Sequence, residues 1–461
     1  MNVLYLHTHD TGRVISPYGF AVDTPNYQAL CEDSVLFQQA YCAAPTCSPS
    51  RAALLTGTYP HQNGMLGLAQ RGFGIDESKH LARLLRDHGW CTALCGVQHE
   101  YGYYTDHDKA YERLGYERDL TADATEYDEK HLVYWDAENA VRLGAWLEAY
   151  SEDRPFFVSF GMHATHREWP DAPEIDDVYT QPPLNIPNNA ITRQDYARYK
   201  ESVRMADANV GLVIDALKKA GLYESTVIIL TTDHGVSYPF EKCCLKDLGT
   251  GVVLAIRVPG ARPPAKCYDG LVSHIDVVPT LLDILGIDKP DYLMGKSFAG
   301  LFAGESVPGD DEVVSEINFH ASYEPARAIR TERYKYIRFF DTTYLHVNRS
   351  NIDGSTVKQF YEENGLMDIT KDVEALYDLY YDVYETNNLV GDVRYEGVLE
   401  DMRNRLKDFM ERTNDPLLNG PIPVRAEWKV NRRDSRSSGS SNPDDYESLG
   451  LNFEVRDRNE Y

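Results

Sequence analysis

No stretch of the sequence approaches the ~18 consecutive apolar residues that a membrane-crossing helix requires, which argues against a helical membrane protein. Positive charge is scarce: 46 Lys and Arg stand against 72 Asp and Glu, a formal net charge of −26. A surface of that sign repels polyanions, so nucleic acid and other long anionic polymers are excluded as partners held by a general basic field. An anionic ligand would need a local basic pocket, which points to a small molecule or a short chain end. Cysteine is sparse as well, eight in 461 residues, at positions 31, 42, 47, 91, 95, 243, 244 and 267. A chain this long needs no disulfide framework, and neither the 91/95 nor the 243/244 spacing matches a paired zinc knuckle, so most are expected to be reduced core thiols. The opening Met1 to His7 reads directly as a buried strand, without the basic segment, apolar run and cleavage site of a secretory signal, which predicts a cytoplasmic address. There is no internal repeat.

What is present fits a globular α/β protein: 43% hydrophobic residues and 11% aromatics in a chain long enough for two domains. Short β-rich runs (Val3 to Leu6, Phe156 to Phe160, Val227 to Thr231) alternate with amphipathic stretches (Leu81 to His88, Tyr196 to Ala220). That pattern predicts a large, mostly parallel sheet flanked by helices over residues 1–325. From Ala326 an alternating strand pattern over Arg330 to Phe339, and later a helix over Glu396 to Arg412, predict a smaller antiparallel α+β domain over 326–461. The Ser-, Arg-, Asn- and Asp-rich stretch near 432–445 reads as a flexible arm.

In parallel sheets ligands gather beyond the carboxyl ends of the strands. Three strand ends carry clusters of carboxylates and imidazoles: His7-Thr8-His9-Asp10, Thr231-Thr232-Asp233-His234-Gly235, and Gly161-Met162-His163-Ala164-Thr165-His166-Arg167. Any one histidine there has an ordinary reading as a strand-end residue; their convergence with carboxylates makes a site. In Cys47-Ser48-Pro49-Ser50-Arg51-Ala52-Ala53-Leu54-Leu55-Thr56-Gly57, Ser48 and Pro49 suit a helix start and Gly57 its end, which puts Cys47 at the positive end of a helix dipole. An arbitrary Cys-x-Pro would be a buried core cysteine.

The longer string changes that reading. Cys47 to Gly57, followed by Tyr59-Pro60-His61-Gln62-Asn63-Gly64, resembles the signature of the type I sulfatases, within the alkaline-phosphatase-like superfamily, in which the cysteine is oxidised to formylglycine. The resemblance extends to Thr24-Pro25-Asn26, to Ser273 through Thr280, to Leu376-Tyr377-Asp378-Leu379 and to Glu385 through Leu389. The closing helix with Thr413-Asn414-Asp415-Pro416 looks most like the heparan N-sulfatase branch.

The resemblance implies a hydrolase of sulfate esters or sulfamates on a mono- or short oligosaccharide, matured by a formylglycine-generating enzyme and dependent on one divalent metal. Calcium is the family's usual ion. The ligands by similarity are Asp10, Asp233 and His234, with His9 standing where many relatives have a carboxylate, and residue 47 itself. Two imidazoles soften the site and bring manganese or zinc, besides magnesium, into range. By the same similarity Arg51 and Lys242 bind the sulfate, and His99 is a second family histidine. The lysine usual two residues before it is Val97 here, which leaves a phosphonate monoester or phosphodiester hydrolase, or an inactive sugar-binding relative, as alternatives. His166 falls where the family protonates the leaving group, with His163 as competitor, and Glu316 and His320 are expected to shape the sugar pocket.

Overall fold

The computed structural model describes residues 1–103 and 109–450. Eight strands, β1 (Asn2–Thr8), β2 (Val35–Tyr41), β3 (Cys91–Gly96), β4 (Arg118–Asp119), β5 (Phe156–Gly161), β6 (Thr226–Thr232), β7 (Leu254–Arg257) and β8 (Cys267–Ser273), form one sheet in the order β4-β3-β5-β1-β6-β7-β2-β8. All neighbouring pairs are parallel except those of β7, which runs antiparallel to both β6 and β2.

The period of two along the central strands decides which core each side chain enters. Leu4, Leu6, Val158, Phe160, Ile228 and Leu230 pack on one face with Leu143, Val203 and Val210, from the helices Leu132–Ala149 and Ala190–Lys219. Val3, Tyr5, Phe157, Val227 and Ile229 pack on the other with Leu54, Leu55, Leu85 and Leu281. With both faces covered, these strands read as near-continuous apolar runs rather than alternating ones. The long helix Ala190–Lys219 is capped by Asn189, whose side chain accepts from Thr192 N, and it ends on Lys218 and Lys219, which complement its dipole.

A second, antiparallel sheet runs β12-β11-β10-β9, from β9 (Val313–Phe319), β10 (Tyr323–Arg330), β11 (Tyr334–Phe339) and β12 (Glu374–Asp378). The helix Glu396–Thr413 covers it with Leu399, Met402, Leu406 and Phe409, and Asn414 ends that helix at φ 54. This sheet begins at Val313, so the change of texture at Ala326 falls inside β10 rather than at a domain edge. β9 is buried along its whole length although three of its seven residues, Ser315, Glu316 and Asn318, are polar. Its Glu316 N–H donates to Ala43 O, and Phe319 and Ile329 share one core with Ala52 and Ala53.

The stretch 432–445 is no free arm. It joins β13 (Lys429–Asn431) to β14 (Tyr446–Leu449), an antiparallel pair. Arg71 Nη2 donates to Ser438 O at 2.7 Å and Lys358 Nζ to Arg436 O at 2.9 Å. Its polar composition serves hydrogen bonds to buried cations, which composition alone cannot distinguish from solvation. Residues 451–461 lie outside the described residues. All eight cysteines are free thiols, five of them buried, and among the described residues no helix is long and apolar enough to cross a membrane.

Candidate active site

Because β1, β2, β3, β5 and β6 all run in one direction, their carboxyl ends open on one edge of the sheet. The register sets them level: His7 lies opposite both Gly161 and Thr231, and Gly96 lies opposite Gly161. Gly161 is obligatory there, since a Cβ would sit 2.0 Å from Val97 O and 2.5 Å from the His7 ring. The residues just past each strand are therefore brought together: His9 and Asp10, His99, His163 and His166, Asp233 and His234. Five residues after β2 the chain enters the helix Cys47–Thr56, with Cys47 as its first residue.

His9, Asp10, Cys47, Asp233 and His234, all buried, each offer one ligand atom in a group spanning no more than 4.8 Å. His9 Nδ1 lies 2.8 Å from Asp10 Oδ1 and 3.2 Å from Asp233 Oδ2, and His234 Nε2 lies 3.4 Å from Cys47 Sγ and from Asp10 Oδ1. Asp10 takes a left-handed φ of 56, and its N–H donates to Asp233 Oδ1 at 2.8 Å. That turn folds one carboxylate onto the other.

Two buried carboxylates this close require positive charge. Arg51, one turn into the helix, donates from Nη2 to Asp233 Oδ2 and Thr8 O, both at 3.0 Å, and from Nη1 to His7 Nδ1 at 2.5 Å. Lys242 Nζ bridges Asp10 Oδ2 and Asp353 Oδ2, at 2.9 Å each. Burial would raise both carboxyls; the opposing charges prevail, so Asp10 (Lys242, His234) and Asp233 (His234, His9, Arg51) sit below the usual carboxylate range. Burial would likewise lower the Lys242 ammonium, but Asp10 and Asp353 hold it well above the usual lysine value. The Cys47 thiol goes the other way: burial pushes it well above its ordinary value, which makes the unmodified side chain a poor nucleophile.

The histidines beyond this core are arranged by neutral partners. His99 Nε2 is 2.8 Å from Gln70 Oε1. His166 Nδ1 donates to Arg167 O at 2.5 Å, which in the neutral ring makes Nε2 the unprotonated nitrogen, and its ring meets that of His9 edge-on at 4.6 Å. Burial and Lys242 hold His166 below the usual histidine value, while Asp10 and Asp353 pull it back up. The turn carrying both His163 and His166 hangs on Asp136, whose carboxylate accepts from His163 N at 2.7 Å and Ala164 N at 2.8 Å. Burial pushes Asp136 up to about 8, against those two bonds.

Not every sequence expectation lands in the site. Glu316 accepts from His61 N at 2.9 Å and lies 2.5 Å from His61 Nδ1, inside a separate buried group with Arg327 and Asp415, so it does not reach the strand-end cluster. It sits in the middle of β9 and faces the helix side of the second sheet, which the local string Ser-Glu-Ile-Asn could not reveal. His320, just past β9, does lie within the electrostatic reach of Lys242 and Asp353. Val97 is fully buried in an apolar nest with Ala122, Leu132 and Trp135, so its position is a core one rather than the wall of an anion pocket. Sequence reasoning missed Gln70, Asp136 and Asp353. Only Asp136 had a local signal, as a carboxylate on the buried face of an amphipathic helix.

A family model described as Sulfatase matches residues 2–287, and one described as N-sulphoglucosamine sulphohydrolase, C-terminal, matches 234–375. Human N-sulphoglucosamine sulphohydrolase is 27% identical over 92% of this chain and 92% of its own length. An ulvan-active sulfatase of Formosa agariphila is 25% identical over 90% of this chain and 75% of its own. A solved structure described as a complex with its substrate D-glucosamine-2-N,6-O-disulfate superposes with a TM-score of 0.69 at 18% identity, covering 91% of this chain and 99% of that one. The phosphonate monoester hydrolase of Agrobacterium radiobacter does so with 0.68 at 20% identity, covering 92% and 100%. With its strand-end cluster and with a family model matched over more than half its length, the chain belongs to the sulfatase family.

Proposed function

We propose that the protein hydrolyses a sulfate ester or sulfamate on a small sugar, using residue 47 as formylglycine and one divalent cation. The observation that carries this reading is the placement of Cys47 at a helix start, within 4.8 Å of two carboxylates and two imidazoles. An inert, fully buried thiol has no use in that place, whereas an aldehyde hydrate made from it supplies one hydroxyl for attack on sulfur and a second for release of sulfate. A formylglycine-generating enzyme is the partner this requires.

The donor set fits a cation: Asp10 and Asp233 are held ionised, and His9, His234 and the oxygen of residue 47 complete it. Calcium is the ion the resemblance implies, and two imidazoles bring manganese or zinc, besides magnesium, into range. Such an ion supplies charge neutralisation at a sulfate oxygen and at the nucleophile. Lys242 and Arg51 hold the carboxylates and contribute positive potential where the sulfate is expected to sit. His166 Nε2 delivers the proton to the leaving atom, while His163 keeps a supporting place in the turn anchored by Asp136.

The substrate class follows the relatives, which include a human enzyme named for N-sulphoglucosamine. Turnover of 4-nitrophenyl sulfate, a phenylphosphonate monoester and N-sulfoglucosamine by one preparation tests the reading. Release of sulfate with little phosphonate cleavage is the expected result. Dominant phosphonate cleavage would move the protein to the other chemistry.

A further inference from the structure

Asp353 stands apart among the carboxylates of the site. It arrives from the second domain, in the segment after Arg349–Asn351, and its side chain is 2% exposed. Every oxygen of Asp10 and Asp233 has a partner. Asp353 takes one hydrogen bond among the described residues, Lys242 Nζ to Oδ2, and its Oδ1 accepts nothing from them. An ionised carboxylate has acceptor capacity beyond that one bond, so Oδ1 can take a hydrogen bond from a ligand.

The neighbours of Asp353 narrow the ligand. Its ligand atom lies within 4.8 Å of those of Asp10 and His166, a group that shares Asp10 with the first but does not include Cys47. A second metal ion would have to displace Lys242, whose ammonium already bridges the two carboxylates. The sulfate oxygens carry no hydrogen and are repelled by an anion. A leaving atom that takes its proton from His166 would lie within reach of Asp353 as well.

We propose, building on the sulfatase reading, that Asp353 accepts a hydrogen bond from the scissile nitrogen of a sulfamate and so selects S–N over S–O cleavage. A sulfamate nitrogen carries a hydrogen that Oδ1 can accept; an ester oxygen carries none and meets the carboxylate as a repulsive neighbour. On cleavage an oxygen of the hydrated residue 47, its proton lost to solvent, bonds to sulfur as the S–N bond breaks; the electron pair of that bond stays on nitrogen and the Nε2 proton of the protonated His166 joins it, so the amine departs neutral, His166 is left neutral and Asp353 keeps its charge. Asp353 is thus a specificity residue from the second domain, set beside a nucleophile from the first.

The test uses an isosteric pair, N-phenylsulfamate and phenyl sulfate, which differ by N–H against O. With metal-loaded, formylglycine-bearing protein, kcat/KM is expected to favour the sulfamate relative to their uncatalysed rates, and Asp353→Ala to lower that preference roughly ten- to hundredfold, the effect of one charged hydrogen bond. Asp353→Asn, which keeps the shape, should lose less. Equal losses on both compounds would mean that Asp353 acts only through Lys242, and would overturn the assignment. Calorimetric titration of both compounds into Cys47→Ala protein repeats the comparison without turnover. Tighter sulfamate binding that disappears in the Cys47→Ala, Asp353→Ala double variant supports the proposal even if the wild type hydrolyses neither compound; that failure would count against the sulfatase reading alone. Equal binding of the pair would overturn the Asp353 proposal.

Discussion

Two buried clusters in this molecule are built from the same kinds of residue and meet their cations differently. At the first sheet's edge, His9, Asp10, Asp233 and His234 crowd together with cations reaching them from the side. Between the sheets, His61, Glu316 and Asp415 also bring their ligand atoms within 4.8 Å of one another. There, however, the Arg327 guanidinium sits among them, bidentate to Asp415 at 2.6 and 3.0 Å and 3.8 Å from Glu316, with Nη1 on the Ile317 and Ala326 carbonyls. The second cluster is closed by its own cation. In the first, Arg51 and Lys242 reach Asp233 and Asp10 from outside the group, which lies beside a helix start carrying Cys47. Residue type alone does not separate the two clusters; what separates them is where the fixed cation stands, beside the carboxylates and imidazoles in the first and among them in the second.

The largest effect that sharpens this contrast is at Cys47. Cys47→Ala is expected to reduce sulfate release on the order of 10⁴-fold or more, as loss of a covalent nucleophile does, while circular dichroism and the melting temperature stay near wild type. Undiminished sulfate release would remove the central reading.

Metal removal separates the clusters directly. Exhaustive chelation should stop turnover and lower the melting temperature, and re-addition of manganese or zinc should restore both, because an ion bound only by the folded state stabilises it. Asp233→Asn should abolish the metal-dependent shift in melting temperature, whereas Glu316→Gln should leave that shift intact. A metal-free preparation with full activity would break the comparison.

Next in size is His166. Its replacement by Ala is expected to cost roughly 10² to 10⁴-fold on a sugar sulfate or sulfamate and far less on 4-nitrophenyl sulfate, whose leaving group needs little protonation. His163→Ala should show no such split. Equal losses on both substrates for His166→Ala would send the search for the acid to His99 or His163.

The smallest effect on catalysis, though not on folding, belongs to the second cluster. Arg327→Ala leaves Glu316 and Asp415 buried without their cation and should cost about 3–5 kcal/mol in urea denaturation, with kcat of the folded fraction little changed. The pH dependence has a definite sign. Burial would raise Glu316, but His61 and Arg327 hold it at about 2, below the ordinary glutamate value. Its stabilisation is therefore present above the unfolded-state value of about 4.3 and is lost as pH falls through it toward 2. Glu316→Gln should flatten that part of the acid limb. A steeper limb in the variant would contradict the assignment.

Much of the site was legible from sequence because its residues sit at fixed offsets from apolar runs. A buried parallel strand announces itself by composition, and the residue one or two past its end must lie at the sheet edge; Asp10 and Asp233 follow from that rule, while His166 lies further out, in the turn that follows Phe156–Gly161. The Cys47 segment was legible for a different reason, as a long local string carrying its own helix signals. Glu316 joined the second cluster instead of the strand-end one because nothing local in Val-Val-Ser-Glu-Ile-Asn-Phe says which sheet that strand joins. The 432–445 stretch was misread because hydrogen-bonding capacity and solvation share one composition.

By itself, then, the sequence determined the chemistry available: which strands form, which polar residues terminate them, and that a cysteine opens a helix beside them. These depend on interactions within a few residues, namely hydrophobic periodicity and capping. Only the tertiary structure decided how the charges are matched. Lys242 is placed between Asp10 and an aspartate 111 residues further along the chain, and Arg327 is paired with an aspartate 88 residues away. Such pairings are fixed by how two sheets dock and share a core. Since a buried ion's effect depends on the charges within a few ångströms of it, no local pattern could say which cation each cluster would meet or where it would stand.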